Sequence, residues 1–197
     1  RFNKIWPRLG GGLAVIIFIA VGWTWARNPS VSPLPLLYWL NLAILMLHEF
    51  EEYVFPGGFK EFANTKTFFS MPDSSPTKTI SEKLIVSINL GIWVVMIIGA
   101  LMANIEPWLG LGMIIFNFIN IFGHLIIFQK KVKGYNPGMV TAFLMKPFLI
   151  FSLIIAQNQE LLTTVDYILA LIIGFASGLS LPIIGRLRQK KLMNEIK

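Results

Sequence analysis

The sequence predicts an all-α membrane protein, a polytopic bundle of about six transmembrane helices. Hydrophobic residues make up 55% of the 197 residues, and charged residues only 14%. The mean hydropathy of +0.66 is well above that of soluble globular domains. Six apolar stretches approach the roughly 20 residues that a helix needs to cross a bilayer. Because lipid offers the backbone no hydrogen-bond partners, these stretches must form helices.

The six predicted spans cover about residues 9–25, 34–54, 83–104, 108–129, 140–156 and 163–185. Short connections at 29–33, 106–107 and 158–160 are rich in turn-forming residues, which predicts antiparallel neighbours. We therefore expect residues 1–197 to form a single transmembrane domain. The connection at about 55–82 is longer, and its phenylalanines either cover the membrane surface as a lid or pack against the bundle. These are Phe59, Phe62, Phe68 and Phe69.

The basic residues predict the orientation of the bundle. With the N-terminus placed inside, every one of the 17 lysines and arginines except Arg27 and Lys146 falls on the inner side. Positive charge is enriched in cytoplasmic segments. We therefore expect the bundle in the plasma membrane, with both termini in the cytoplasm. The net charge of +7 thus reflects sidedness, with membrane lipids and no nucleic acid as expected partners. The oligomeric state is not predicted.

Polar side chains are rare inside the spans, and each is therefore a candidate for function. On the second span, Asn41, His48, Glu51 and Glu52 share one helix face, while Glu49 points elsewhere. On the fourth span, the amides Asn117 and Asn120 lie on one stripe with His124, and Asn89 of the third span is a further candidate. Both histidine-bearing spans run from outside to inside, so the two imidazoles are expected at the same depth. A turn that starts at Tyr135 and reaches Thr141 returns to the same inner surface.

This set of side chains predicts a divalent metal ion bound by His48, Glu51, Glu52 and His124. The chain has no cysteine, so its ligands must be nitrogen and oxygen atoms. Zinc is the expected ion, with iron and manganese as alternatives. A cation would also balance the charges of two adjacent carboxylates. Hydrogen bonding between helices is the structural alternative for each histidine.

Three short motifs carry a resemblance to a known family. They are His48-Glu49-Phe50-Glu51-Glu52, Asn120-Ile121-Phe122-Gly123-His124, and the YxPGxxT pattern from Tyr135 to Thr141. Over about residues 48–141 the chain resembles the bacterial membrane proteins that are named for their HXXEE motif. The resemblance implies which positions matter rather than which reaction is catalysed. The chain is also loosely similar to intramembrane CAAX-type proteases. It lacks, however, the arginine that follows the paired glutamates of those proteases.

The leading functional hypothesis is a metal-dependent membrane enzyme, a hydrolase acting on a lipid, lipid-linked or peptide substrate at the cytoplasmic face. One of the catalytic candidates Glu51 and Glu52 would join both histidines around the ion, and the other would act as general base. Supporting contacts to the imidazoles or the substrate are expected from Asn41, Asn117, Asn120, Tyr135 and Thr141. Two alternatives remain open: a transporter or proton pathway through the same cluster, and a structural membrane protein without catalysis.

Overall fold

The computed structural model describes residues 2–72, 75, 77–158 and 162–196. Within these ranges the regular secondary structure is helical, without any strand. A π-helical turn, Gly123–Ile127, connects two of the helices. The helices are α1 (Phe2–Arg27), α2 (Pro33–Tyr53), α3 (Phe59–Lys66), α4 (Glu82–Leu101), α5 (Pro107–Phe122), α6 (Phe128–Lys131), α7 (Met139–Gln157), α8 (Thr164–Gly178) and α9 (Ser180–Ile196).

Six helical segments of this described part are long and apolar enough to cross a membrane, which confirms the predicted fold class. Four of them are α1, α2, α4 and α7; the others are α5 continued by α6, and α8 continued by α9. The sixth segment differs in extent from the predicted 163–185, because the helix is interrupted at Leu179 and then resumes as far as Ile196. The fifth connection lies partly outside the described residues.

Residues at the helix starts explain where several helices begin. Proline stands at the start of α2 and of α5, where its missing N–H costs no hydrogen bond. Ser81 accepts a hydrogen bond from the Leu84 amide and caps α4. Thr163 and Asp166 form a reciprocal capping box at α8. The two prolines, Pro33 and Pro107, lie in the connections that the sequence predicts at 29–33 and 106–107.

Helix α2 lies at the centre of the bundle. It is the most buried of the six segments. Helices α1, α4, α5 and α7 all pack against it. Because its polar side chains are carried into this centre, they meet other helices rather than lipid.

Glycines allow α5 and α8 to pack closely. A Cβ atom at Gly112 would lie 2.1 Å from Ile173 Cγ2, and one at Gly174 would lie 2.7 Å from the Gly112 carbonyl oxygen. A Cβ atom at Gly178 would lie 2.7 Å from Ile119 Cδ1. These glycines of α8 therefore serve packing within the bundle.

The segment between α2 and α4 folds back against the bundle. Phe59 and Phe69 are buried in the main apolar core, and Phe62 and Phe68 pack against it. The carbonyl oxygen of Phe68 accepts hydrogen bonds from Arg186 and Gln189 of α9. These four phenylalanines therefore pack against the bundle, as one of the two sequence-based interpretations expects.

Candidate metal centre

Three side chains from two helices converge at one end of the bundle. His48 and Glu52 lie one turn apart on α2, and His124 lies in the π-helical turn. The Nε2 atoms of His48 and His124 stand 3.7 and 3.2 Å from the same oxygen, Oε1 of Glu52. The two imidazole centroids are 4.7 Å apart, and all three side chains are buried. One ligand atom from each lies within 4.8 Å of the others, so the group can hold a metal ion.

Asn136 fixes the orientation of the His124 ring. Its amide nitrogen donates to the His124 carbonyl oxygen at 3.1 Å, so its side-chain oxygen must be the atom that faces His124 Nδ1 at 2.9 Å. Since that oxygen only accepts, the proton of a neutral imidazole sits on Nδ1. The Nε2 lone pair of His124 is therefore directed at Glu52.

Thr141 plays the same part for His48. Its hydroxyl donates to Glu51 at 2.5 Å and also lies 3.2 Å from the Gly138 carbonyl oxygen, and neither partner can give it a proton. The hydroxyl oxygen accepts from His48 Nδ1 at 2.8 Å. His48 Nε2 then carries a lone pair as well, and it is buried without a hydrogen-bond partner.

The three converging atoms are thus all acceptors. Two imidazole nitrogens and a carboxylate oxygen face one another without a hydrogen atom to share when the imidazoles are neutral. Such an arrangement is costly unless a cation or an added proton lies between them. Imidazoles held through Nδ1 by an oxygen acceptor, with Nε2 free, are typical of metal ligands. Two histidines and one carboxylate match the donor sets of zinc enzymes and of non-haem iron sites.

The π-helical turn allows Asn136 to hold His124 at two points. In a regular helix the Phe128 amide would bond to the His124 carbonyl oxygen, but here it bonds to that of Gly123. The His124 carbonyl oxygen is consequently available to the Asn136 amide. Short π-helical turns are frequent at functional sites.

Gly138 provides the space that the cluster occupies. A Cβ atom at this position would lie 2.7 Å from His48 Cε1, 2.8 Å from His124 Cε1 and 3.0 Å from Glu52 Cγ. Its φ of +93° also lies in the left-handed region that favours glycine. The turn before α7 can approach the cluster only because residue 138 has no side chain.

Glu51 does not join the three-residue group, although the sequence placed it among the ligands. Its Oε1 accepts from the Tyr135 hydroxyl and the Val140 amide, and its Oε2 accepts from the Thr141 amide and hydroxyl. These amides belong to the first turn of α7, where a negative charge is favourable. Burial and the hydrogen bond to Glu51 both raise the pKa of Tyr135, so its phenol remains a donor. Glu51 therefore anchors α7 and positions Thr141.

Glu49 is more important than sequence reasoning indicated. It is buried, and its Oε2 accepts from the Trp93 indole nitrogen at 2.6 Å. Its Oε1 has no hydrogen-bond partner. Glu49 also lines the same cavity as His48, Glu52 and His124. A second carboxyl group thus stands beside the cluster with one oxygen free.

The predicted amides are divided between two places. Asn117 donates to Asn41 at 2.8 Å, which joins α5 to α2 about two turns from His48 rather than supporting an imidazole. Asn120 lines the cavity near the cluster. Asn89 also lines it and donates to the Tyr53 hydroxyl.

A large apolar cavity adjoins the cluster. Its volume is about 720 Å³, and side chains from α2 to α5, α8 and α9 form its walls. Phe59 and Phe128 pack edge-on or tilted beside the His124 ring. His48, Glu52 and His124 form what we call its inner end. The other polar side chains in its lining are Glu49, Tyr53, Asn89, Asn120, Ser177 and Ser180.

Sequence reasoning missed Asn136, Glu49 and Gly138 as site residues. Asn136 and Gly138 lie within the YxPGxxT pattern. The available signal was an asparagine in the turn that the topology returns to the same surface as His124. The helical offset of Glu49 differs from that of Glu51 and predicts a different direction. In the structure Glu49 nevertheless lines the same cavity and accepts a hydrogen bond from Trp93.

The comparisons with known proteins identify a family. A family model described as "Protein of unknown function with HXXEE motif" matches residues 39–154, which is more than half of the chain. None of the curated proteins and none of the solved structures matches the chain. The matched residues include His48, Glu52 and His124 and the turn that contains Asn136 and Gly138. The chain therefore belongs to the HXXEE-motif family.

Proposed function

We propose that the protein is a metal-dependent membrane hydrolase whose ion is held by His48, Glu52 and His124. The observation that carries this proposal is the convergence of three buried acceptor atoms, Nε2 of each imidazole and Oε1 of Glu52. A divalent ion bound there supplies Lewis acidity toward a carbonyl or phosphoryl oxygen. Zinc is the favoured ion, and iron is the alternative with the same ligands.

The surrounding residues have separate parts in this proposal. Asn136 and Thr141 keep both Nε2 atoms unprotonated and directed inward. Glu49, with one oxygen free in the cavity, takes a proton from the attacking water and returns it to the leaving group. Glu51 is unsuited to this part because both of its oxygens are engaged. The substrate linkage is an ester, amide or phosphoester of a lipid, lipid-linked or peptide molecule at the cytoplasmic face.

The test measures the metal content of purified wild-type and variant proteins by elemental analysis, and it compares variants at Glu52 and Glu49. Wild-type protein should contain stoichiometric zinc or iron, and His48→Ala, His124→Ala and Glu52→Gln should each lower metal affinity by at least roughly tenfold. Glu49→Gln is the matched control, because it is equally buried on the same helix and lies outside the ligand group. It should retain the metal and lose turnover of a chromogenic long-chain ester. Wild-type protein that binds no divalent ion after reloading would contradict the proposal.

A proton or ion pathway has one supporting observation. Asn41 and Asn117 extend the polar line of α2 and α5 toward the middle of the bundle, and Asn41 Nδ2 and Asn117 Oδ1 have no hydrogen-bond partner. Flux through protein reconstituted in sealed liposomes separates this alternative from hydrolysis. Flux that Asn41→Leu abolishes, without any ester turnover in the wild type, would favour the pathway.

A further inference from the structure

The cavity beside the candidate metal centre is apolar over most of its lining. Its volume of about 720 Å³ is within the range of small-molecule sites. Apart from its nine polar side chains, the walls are formed largely by leucine, isoleucine and phenylalanine side chains. An extended peptide would leave its amide and carbonyl groups without partners there. A hydrocarbon chain would not.

The cavity opens at the height of the membrane interior. Five apolar side chains that line it are also exposed at the surface of the bundle: Phe122, Ile127, Leu171, Phe175 and Leu179. All five belong to membrane-spanning segments. Leu171 and Phe175 stand about 10 and 16 Å along α8 from Thr164 at 1.5 Å per residue. Because the hydrocarbon core is about 30 Å thick, this mouth faces lipid chains rather than water.

We infer that the cavity takes the hydrocarbon chain of a membrane lipid, which enters sideways from the bilayer. The lipid's polar linkage then lies at the inner end, against His48, Glu52 and His124. The part assigned to the inner end, where the linkage would be hydrolysed, rests on the proposed function. Within that function, the inference favours a lipid over a peptide as the substrate. Binding of the hydrocarbon chain is inferred from the apolar mouth and walls alone, so it does not require that an ion binds.

Photolabelling tests the inference directly. The probe is a long-chain fatty acid that carries a diazirine, incorporated in phosphatidylcholine vesicles with the full-length protein. We expect labelled peptides to include the lining residues of α5 and α8. Ser177 lines the cavity, so Ser177→Phe should fill part of it and reduce labelling roughly tenfold. Ala176→Phe is the matched control, because Ala176 is adjacent to Ser177 but is exposed and does not line the cavity.

A second pair of variants on the opposite wall guards against misfolding of the first. Ile88→Trp should reduce labelling, while Ser87→Trp on the exposed side of α4 should not. Metal content is measured in the same samples. Labelling that is equal in wild type, Ser177→Phe and Ile88→Trp overturns the lipid-chain inference. Labelling that depends on these residues in protein that binds no metal supports the inference and overturns the proposed function.

Discussion

At Gly138, one added methyl group would contact three residues of the candidate metal centre. Gly138→Ala should therefore abolish metal binding and lower stability by about 1–3 kcal/mol, because Cβ would lie within 3.0 Å of His48, His124 and Glu52. Metal content and thermal unfolding in detergent measure the two effects.

Gly58→Ala is a matched control for backbone strain. Gly58 has a φ of +95°, close to that of Gly138, and precedes a helix in the same way. Its Cβ would meet only Pro137 Cγ, at 3.9 Å. We expect it to lose stability while keeping the metal. Equal metal loss in both variants would show that strain rather than space explains the result.

For Glu51 the prediction concerns stability rather than metal binding. Glu51→Ala removes the acceptor for two backbone amides and two hydroxyls, and should lower the free energy of unfolding by about 3 kcal/mol. Tyr135→Phe removes one of these hydrogen bonds and should cost about 1 kcal/mol. Thermal unfolding of both variants measures the two losses in the free energy of unfolding. A Glu51→Ala protein as stable as the wild type would contradict the anchoring role.

The division of work between Glu51 and Glu52 could not be predicted from the sequence. The two residues are adjacent on one face of α2, and spacing assigns them the same environment. What separates them is the position of the α7 N-terminus, which comes from a turn nearly 90 residues later in the chain. The approach of His48 to His124 was predictable, because two parallel spans carry them at equal depth.

At the scale of helices, the contact between α5 and α8 depends on residues without side chains. Gly174→Ala should separate these helices and destabilise the protein by about 1–3 kcal/mol, since its Cβ would lie 2.7 Å from both Gly112 and Ile115. Gly91→Ala is the control, because nothing lies within 4 Å of a Cβ at that helical position. It should stabilise the protein by up to about 1 kcal/mol. Similar thermal shifts for both would exclude close packing as the cause.

The helices themselves were predicted more closely than their irregularities. Hydropathy is a local property, so the observed starts of α2, α4, α5 and α7 lie within a residue of those expected. The π-helical turn has no such signal: Gly123–Ile127 is apolar apart from His124 and would fit a regular helix equally well. Its cause is tertiary, since Asn136 binds the carbonyl oxygen that the turn leaves available.

For the whole molecule, the distribution of positive charge predicts an orientation that labelling can test. The chain has no cysteine, so single-cysteine variants are unambiguous. Asn28 and Lys133 are exposed and lie at opposite ends of the bundle. In intact cells an impermeant thiol reagent should label Asn28→Cys at once, and Lys133→Cys only after the membrane is opened. The reverse pattern would place the candidate metal centre on the outer side.

The sideways mouth of the cavity also determines which concentration governs its occupancy. A ligand that arrives through the bilayer is counted by its mole fraction among the surrounding lipids, not by its amount per volume of buffer. Adding inert phospholipid to a fixed quantity of ligand should therefore empty the cavity, although nothing in the aqueous phase has changed. For a protein of this shape, the composition of the bilayer acts as the ligand reservoir, and assays must hold it constant.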